Sequence, residues 1–172
     1  GGLGLSAGAD LVVATEKTRM AMPETRIGFF PDVGATGWMF DKCPPGFPEF
    51  LGLTGYEIGG AECVRLGFAH CLIPSAQLDE ATAVMEEAGP GLPFEKDRAT
   101  KEIRALLEPV IVNDIPPNPH MDQWVKEYFK GTKSVQELLN NLRQCSIQGT
   151  LCDGVFASLS ERSPTGVALT LD

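Results

Sequence analysis

MPETRIGFFPDVG, residues 22–34, sets two carboxylates, Glu24 and Asp32, among two phenylalanines, an isoleucine and two glycines, each acid directly after a proline. Ionised carboxylates avoid apolar surroundings unless they are paired, solvated or used. Pro23 fixes its own φ, lacks an N–H and drives Met22 towards an extended backbone. The chain is therefore expected to leave a strand with Glu24 just past its end, where ligands of α/β folds commonly bind. Pro31 repeats the device for Asp32, and Gly34 follows as a turn or helix start. Two readings stay open. Asp32 can be a turn or N-cap residue and Glu24 a surface carboxylate beside Arg26. Alternatively the two acids share a pocket, where their pKa values split and one attacks or accepts a proton while the other donates.

Outward from this stretch the pattern is mixed α/β. The small residues from Gly1 to Ala9 form a candidate close-packed helix. LVVA (Leu11 to Ala14) and RMAM (Arg19 to Met22) read as short strands around a polar turn, TEKT. Gly1-Gly2-Leu3-Gly4 can bring backbone N–H groups close to developing negative charge, as in an oxyanion hole, or can serve close helix packing alone. Gly34 to Phe40 begins a helix, CPPGFP breaks it, and EFLGLTG is a short helix closed by Gly55. Residues 58–74 read as a helix-to-strand unit, and Leu78 to Gly89 as an amphipathic helix. GPGLPFEKD (Gly89 to Asp97) is the boundary candidate, dividing the chain into 1–88, α/β, and 89–172, helical. The helical part comprises ATKEIRALLEPVI with a stop at Pro109, then MDQWVKEYF, SVQELLNNLRQC and GTLCDGVFASLSER. SPTGVALTL completes it, with Ser163 as N-cap and Pro164 at the first helical position.

The 172 residues carry a net charge of −9, with 43% hydrophobic and 22% charged residues. This balance fits a globular chain and argues against a nucleic-acid partner, whose phosphates require clustered Lys and Arg. The apolar runs are too short to span a membrane. The five cysteines are scattered without a C-x-x-C, which points to reduced thiols in a cytoplasm or organelle matrix. The two histidines, His70 and His120, give little basis for a metal site or a Ser-His-Asp triad. Arg26 is read first as a structural ion-pair partner of Glu24 or Asp32, and second as a phosphate contact. Trp38 and Phe40 are read first as core residues, and second as the wall of an acyl pocket. Trp124, Tyr128 and Phe129 sit at helical spacing for helix–helix packing. The chain starts GGLGLSAGAD and stops at GVALTLD, which reads as a fragment cut at both ends.

GGLGLSAGADLVVATEKTRMAMPETRIGFFPDVGATG resembles the central signature of the crotonase superfamily, the enoyl-CoA hydratase/isomerase family. PET followed by GFFPDVG, with TEK, LTG and RSPTG, is similar to its 3-hydroxyisobutyryl-CoA hydrolase branch. Ordinary hydratases of the family usually carry glycine where this chain has Asp32. The resemblance implies an α/β crotonase-like (ClpP/crotonase) spiral core fragment followed by an α-helical C-terminal region. It implies an acyl-CoA thioester hydrolase acting on 3-hydroxyisobutyryl-CoA or a related 3-hydroxyacyl-CoA. Hydration or isomerisation of an enoyl-CoA is the alternative, and a non-catalytic oligomerisation or binding module a second one. Glu24 matches the catalytic glutamate and Asp32 the hydrolase-specific acid. Gly1 matches the oxyanion glycine, with Gly2 beside it in substrate binding. No cofactor is expected, coenzyme A being part of the substrate. The partners implied are this small molecule and, as the family allows, further copies of the chain. After PDVG the chain departs from the family with ATGWMFDKCPPG. The family's upstream oxyanion donor and adenine loop precede Gly1, so the isolated fragment is expected to be inactive.

Overall fold

The structure is a computed structural model and describes residues 2–145 and 150–171. The chain groups into two compact units, each assembled from two stretches. One takes 1–20 and 58–117, the other 21–57 and 118–172.

In the first unit, helix α1 (Leu3–Ala7) leads into strand β1 (Val13–Ala14) and strand β2 (Arg19–Met20). β1 pairs in parallel with β4 (Cys71–Leu72), Val13 opposite Cys71. β2 pairs antiparallel with β3 (Ile58–Gly59), Met20 opposite Ile58. The parallel pair needs a crossover, and helix α4 (Gly60–Arg65) lies within it. A Cβ on Gly60 would collide with the Thr15 carbonyl oxygen, so α4 packs against the turn after β1 only with glycine there. Helices α5 (Leu78–Ala88) and α6 (Lys96–Leu107) close the unit. Ile73, Ala81 and Leu107 form its buried centre, packed by Leu11, Val13, Met85 and Ile103. A 3₁₀ turn, Glu108–Val110, follows α6 at Pro109. His70 Nδ1 accepts from Val12 N at 2.9 Å, a structural role beside β1.

The second unit holds helices α2 (Ala35–Lys42), α3 (Phe47–Thr54), α7 (Pro119–Phe129), α8 (Val135–Arg143), α9 (Thr150–Ser160) and α10 (Pro164–Leu171). Its core is built on Phe50 of α3, which is fully buried. The Phe50 ring meets Phe129 at 5.0 Å and Trp124 at 5.9 Å, both edge-on. Burying one such side chain contributes ~1.5–3 kcal/mol. The aromatic spacing of α7 therefore does cement α7 to α3. Pro119 opens α7, and the Asn118 side chain caps it by accepting from Met121 N. Ser163 caps α10 through Gly166 N.

Three expectations are corrected here. Ile58 and Gly59 form a strand rather than the start of a helix, because pairing with β2 fixes them. Phe40 is exposed and lies outside the core, one wall of a surface cavity with Cys43 and Pro48. Cys145 and Cys152 form a disulfide, so the cysteines are not all free thiols. Cys43, Cys63 and Cys71 are free. The part of the α9 expectation at Gly149 lies outside the described residues. Among the described residues no helix is long and apolar enough to cross a membrane, and no cluster of His, Cys, Asp and Glu could hold a metal ion.

Candidate active site

Glu24 opens a 3₁₀ turn, Glu24–Ile27, directly after Pro23. Gly28 ends the turn in the left-handed region, at φ 81°, where glycine is favoured. The turn is pinned from both sides. Thr25 is fully buried, and its hydroxyl donates to the Leu53 carbonyl at 3.1 Å. Its carbonyl accepts from Ser163 N at 3.2 Å, at the start of α10. A Cβ on Gly55 would lie 3.1 Å from the Met22 carbonyl oxygen, so the end of α3 presses against the residues before Glu24. Within this clamp Glu24 is half-buried, and its Oε2 is buried without a hydrogen-bond partner among the described residues. Leaving such an acceptor unsatisfied is costly unless a ligand or water supplies the donor.

Asp32 sits eight positions on, in the same unit, with Pro31 buried and the acid exposed. Its carbonyl accepts from Ala35 N at 2.9 Å, closing a turn. Its carboxylate makes no capping bond. Gly34 occupies the N-cap of α2, and no side chain caps that helix. The turn and cap roles thus separate, the backbone of Asp32 making the turn and its side chain remaining unused. Val33, between them, adopts φ 50°, the only non-glycine residue with positive φ among those described. A β-branched residue there is a genuine outlier and points to a constrained site. The Trp38 indole donates to the Val33 carbonyl at 3.1 Å and holds the turn.

The segment joining the two acids shows its apolar side chains to the exterior. Ile27 is 82% exposed, and the Phe29 and Phe30 rings stack at 4.5 Å on the surface. Arg26 is exposed and pairs with no carboxylate among the described residues, which corrects the ion-pair expectation. Gly2 precedes α1 in the first unit, and its carbonyl accepts from Ser6 N at 3.0 Å. Gly1 lies outside the described residues. Glu24 and Asp32 thus lie on one stretch of the second unit, and Gly2 lies in the first. The free cysteines are poor nucleophiles. Burial pushes the Cys43 thiol up to about 12 and the Cys63 thiol to about 11.

Sequence reasoning missed Thr25 and Arg162, which hold the loop and the end of α3. Arg162 is buried, and its Nη2 donates to the Thr54 carbonyl. The motif RSPTG carried the signal, but burial of an arginine cannot be read from one sequence.

The model of a family described as Enoyl-CoA hydratase/isomerase matches residues 1–172. The mouse protein named 3-hydroxyisobutyryl-CoA hydrolase, mitochondrial, is 32% identical over 99% of this chain and 43% of its own length. An Arabidopsis thaliana protein named 3-hydroxyisobutyryl-CoA hydrolase 1 is 45% identical over 45% of this chain and 20% of its own. A carnitinyl-CoA dehydratase from Mycobacterium thermoresistibile superposes with a TM-score of 0.79 at 26% identity, over 99% of this chain and 45% of that one. The chain spans less than half the length of these relatives.

Proposed function

We propose that this chain, which belongs to the enoyl-CoA hydratase/isomerase family, contributes the two catalytic carboxylates of an acyl-CoA thioester hydrolase. Its fold is crotonase-like, α/β with a helical C-terminal region. The substrate proposed is 3-hydroxyisobutyryl-CoA or a related 3-hydroxyacyl-CoA, following the names of the mouse and Arabidopsis relatives. The observation that carries this reading is the buried, unpartnered Oε2 of Glu24 on a turn fixed by Thr25. A carboxylate carried on a pinned backbone turn and lacking an internal donor is free to serve a bound molecule.

Glu24 attacks the thioester carbonyl carbon. A C–O bond forms, the C–S bond breaks, and the coenzyme A sulfur leaves as thiolate and takes up a proton. Water then cleaves the resulting anhydride, which frees the acid and regenerates Glu24. Alternatively Glu24 takes a proton from water, and hydroxide adds to the same carbon. Asp32 orients the 3-hydroxyl group or the water. The backbone N–H of Gly1, with Gly2 beside it, is proposed as an oxyanion donor; such donors typically supply a large share of rate enhancement. The exposed Ile27, Phe29 and Phe30 supply apolar surface suited to an acyl chain. No cofactor is needed, because coenzyme A arrives with the substrate. We place the activity in a mitochondrial matrix or a cytoplasm; the mouse relative is named as mitochondrial.

Hydration or isomerisation of an enoyl-CoA is the second reading, favoured by the superposition on a dehydratase. Free-thiol release from 3-hydroxyisobutyryl-CoA, with crotonyl-CoA hydration beside it, separates the two in the full-length protein. Thiol release that collapses in Asp32→Gly supports the hydrolase. Hydration indifferent to Asp32 overturns it, and neither activity points to a non-catalytic binding module.

A further inference from the structure

A cavity of about 480 Å³ lies within the second unit, lined by Arg26, Thr54, Tyr56, Val155, Ser158 and Arg162. Arg162 is only 7% exposed. Its Nη2 donates to the Thr54 carbonyl and, at 2.7 Å, to Ser158 Oγ. Its Nε is buried and has no partner among the described residues. Neither Arg162 nor Arg26 pairs with a described carboxylate. An uncompensated buried guanidinium is costly, and a second cation facing it adds repulsion. Burial, and then the charge of Arg26, lowers the Arg162 pKa, with neighbouring Glu161 opposing weakly. Tyr56 and Val155 add apolar surface beside the polar walls of Thr54 and Ser158.

We propose that this cavity binds a small organic dianion, a phosphate monoester or dicarboxylate, between the guanidinium groups of Arg26 and Arg162. Two facing cations without an internal counter-ion match a dianion in charge. The planar fork of arginine matches carboxylate and phosphate oxygens in geometry. Arg162 Nε supplies a desolvated donor, Arg26 the second charge at the mouth, and Tyr56 and Val155 face the organic part. Arg26 stands two positions after Glu24 on a 3₁₀ turn, so the two side chains project roughly 120° apart. The inference does not rest on the thioester reading.

Phenyl phosphate and, separately, succinate are titrated calorimetrically into the full-length protein and into Arg26→Ala and Arg162→Met. One-site binding of either probe, weakened about tenfold or more in Arg26→Ala, supports the proposal. The probe that binds tells phosphate from dicarboxylate. Arg26→Ala carries the test should Arg162→Met fail to fold, since Arg26 is exposed and its side chain holds no internal bond. No saturable binding of either probe overturns the proposal, as does binding equal in wild type and Arg26→Ala. Displacement of the bound probe by free coenzyme A overturns it too, because the cavity would then belong to the thioester site.

Discussion

A Cβ on Gly166 would stand 2.9 Å from the carbonyl oxygen of Phe29, so α10 reaches the loop between Glu24 and Asp32 only because position 166 has no side chain. Gly166→Ala must push the loop or the helix away. Overpacking of this kind costs ~1–3 kcal/mol. Thermal unfolding is expected to shift down by about 2–4 °C for each kcal/mol lost. Thiol release should fall as well, though residue 166 is assigned no contact with substrate. An unchanged melting temperature in Gly166→Ala would contradict the clamp.

Glu24→Gln separates use from architecture. The buried Oε2 accepts no bond from the described residues, so the native fold loses little when the charge goes. Stability is expected to stay within ~0.5 kcal/mol, because the isosteric amide breaks no bond to the described residues. Thiol release is expected to drop at least about a hundredfold, the usual loss for an acid–base or nucleophilic group. A stability loss above ~1 kcal/mol in urea unfolding would make Glu24 a structural residue instead.

Much of this site can be read along the chain, and the reasons are local. Pro23 marks the start of the turn that carries Glu24, although β2 ends at Met20 and not at Met22 as expected, and Ser163 with Pro164 announces the start of α10. Trp124, Tyr128 and Phe129 declare a packing face by their spacing. What escapes is set by distant partners. β3 exists because β2 lies opposite it. Thr25 matters because Leu53 and Ser163 meet it from two other elements. Arg162 reads as any surface arginine until α3 and α9 enclose it. The cap expected of Asp32 fails because Gly34 takes the left-handed N-cap position itself.

Val33 holds a left-handed backbone that a β-branched residue adopts at a cost of ~1–3 kcal/mol. Glycine removes that cost but loses ~0.5–1 kcal/mol in unfolded-chain entropy. Val33→Gly is therefore expected to be stabilising by up to ~2 kcal/mol in urea unfolding, or neutral at the least. If the strained turn presents Asp32 to substrate, thiol release falls while stability rises. Activity that rises with stability would show the strain to be incidental.

The half-buried thiol of Cys43 and the buried thiol of Cys63 give a pH dependence with a definite sign. Burial raises Cys43 from the ordinary 9.0 to about 12 and Cys63 from 9.0 to about 11 in the folded chain. The folded state therefore keeps protons that the unfolded state gives up above pH 9. Stability linked to these groups is complete below about pH 9 and declines as the pH climbs towards 11 and 12. At pH 8 both thiols are protonated, so iodoacetamide should leave the buried Cys63 unlabelled in the native protein, label Cys43 more slowly than in denaturant, and label both in denaturant. Cys145 and Cys152 behave differently. Both lie on one tryptic peptide, residues 144–162, which is expected to take up iodoacetamide at neither cysteine in denaturant before reduction and at both after it. Rapid native labelling of Cys63 at pH 8 would contradict its burial. Labelling of Cys145 or Cys152 in a denatured, unreduced sample would contradict the bond between them.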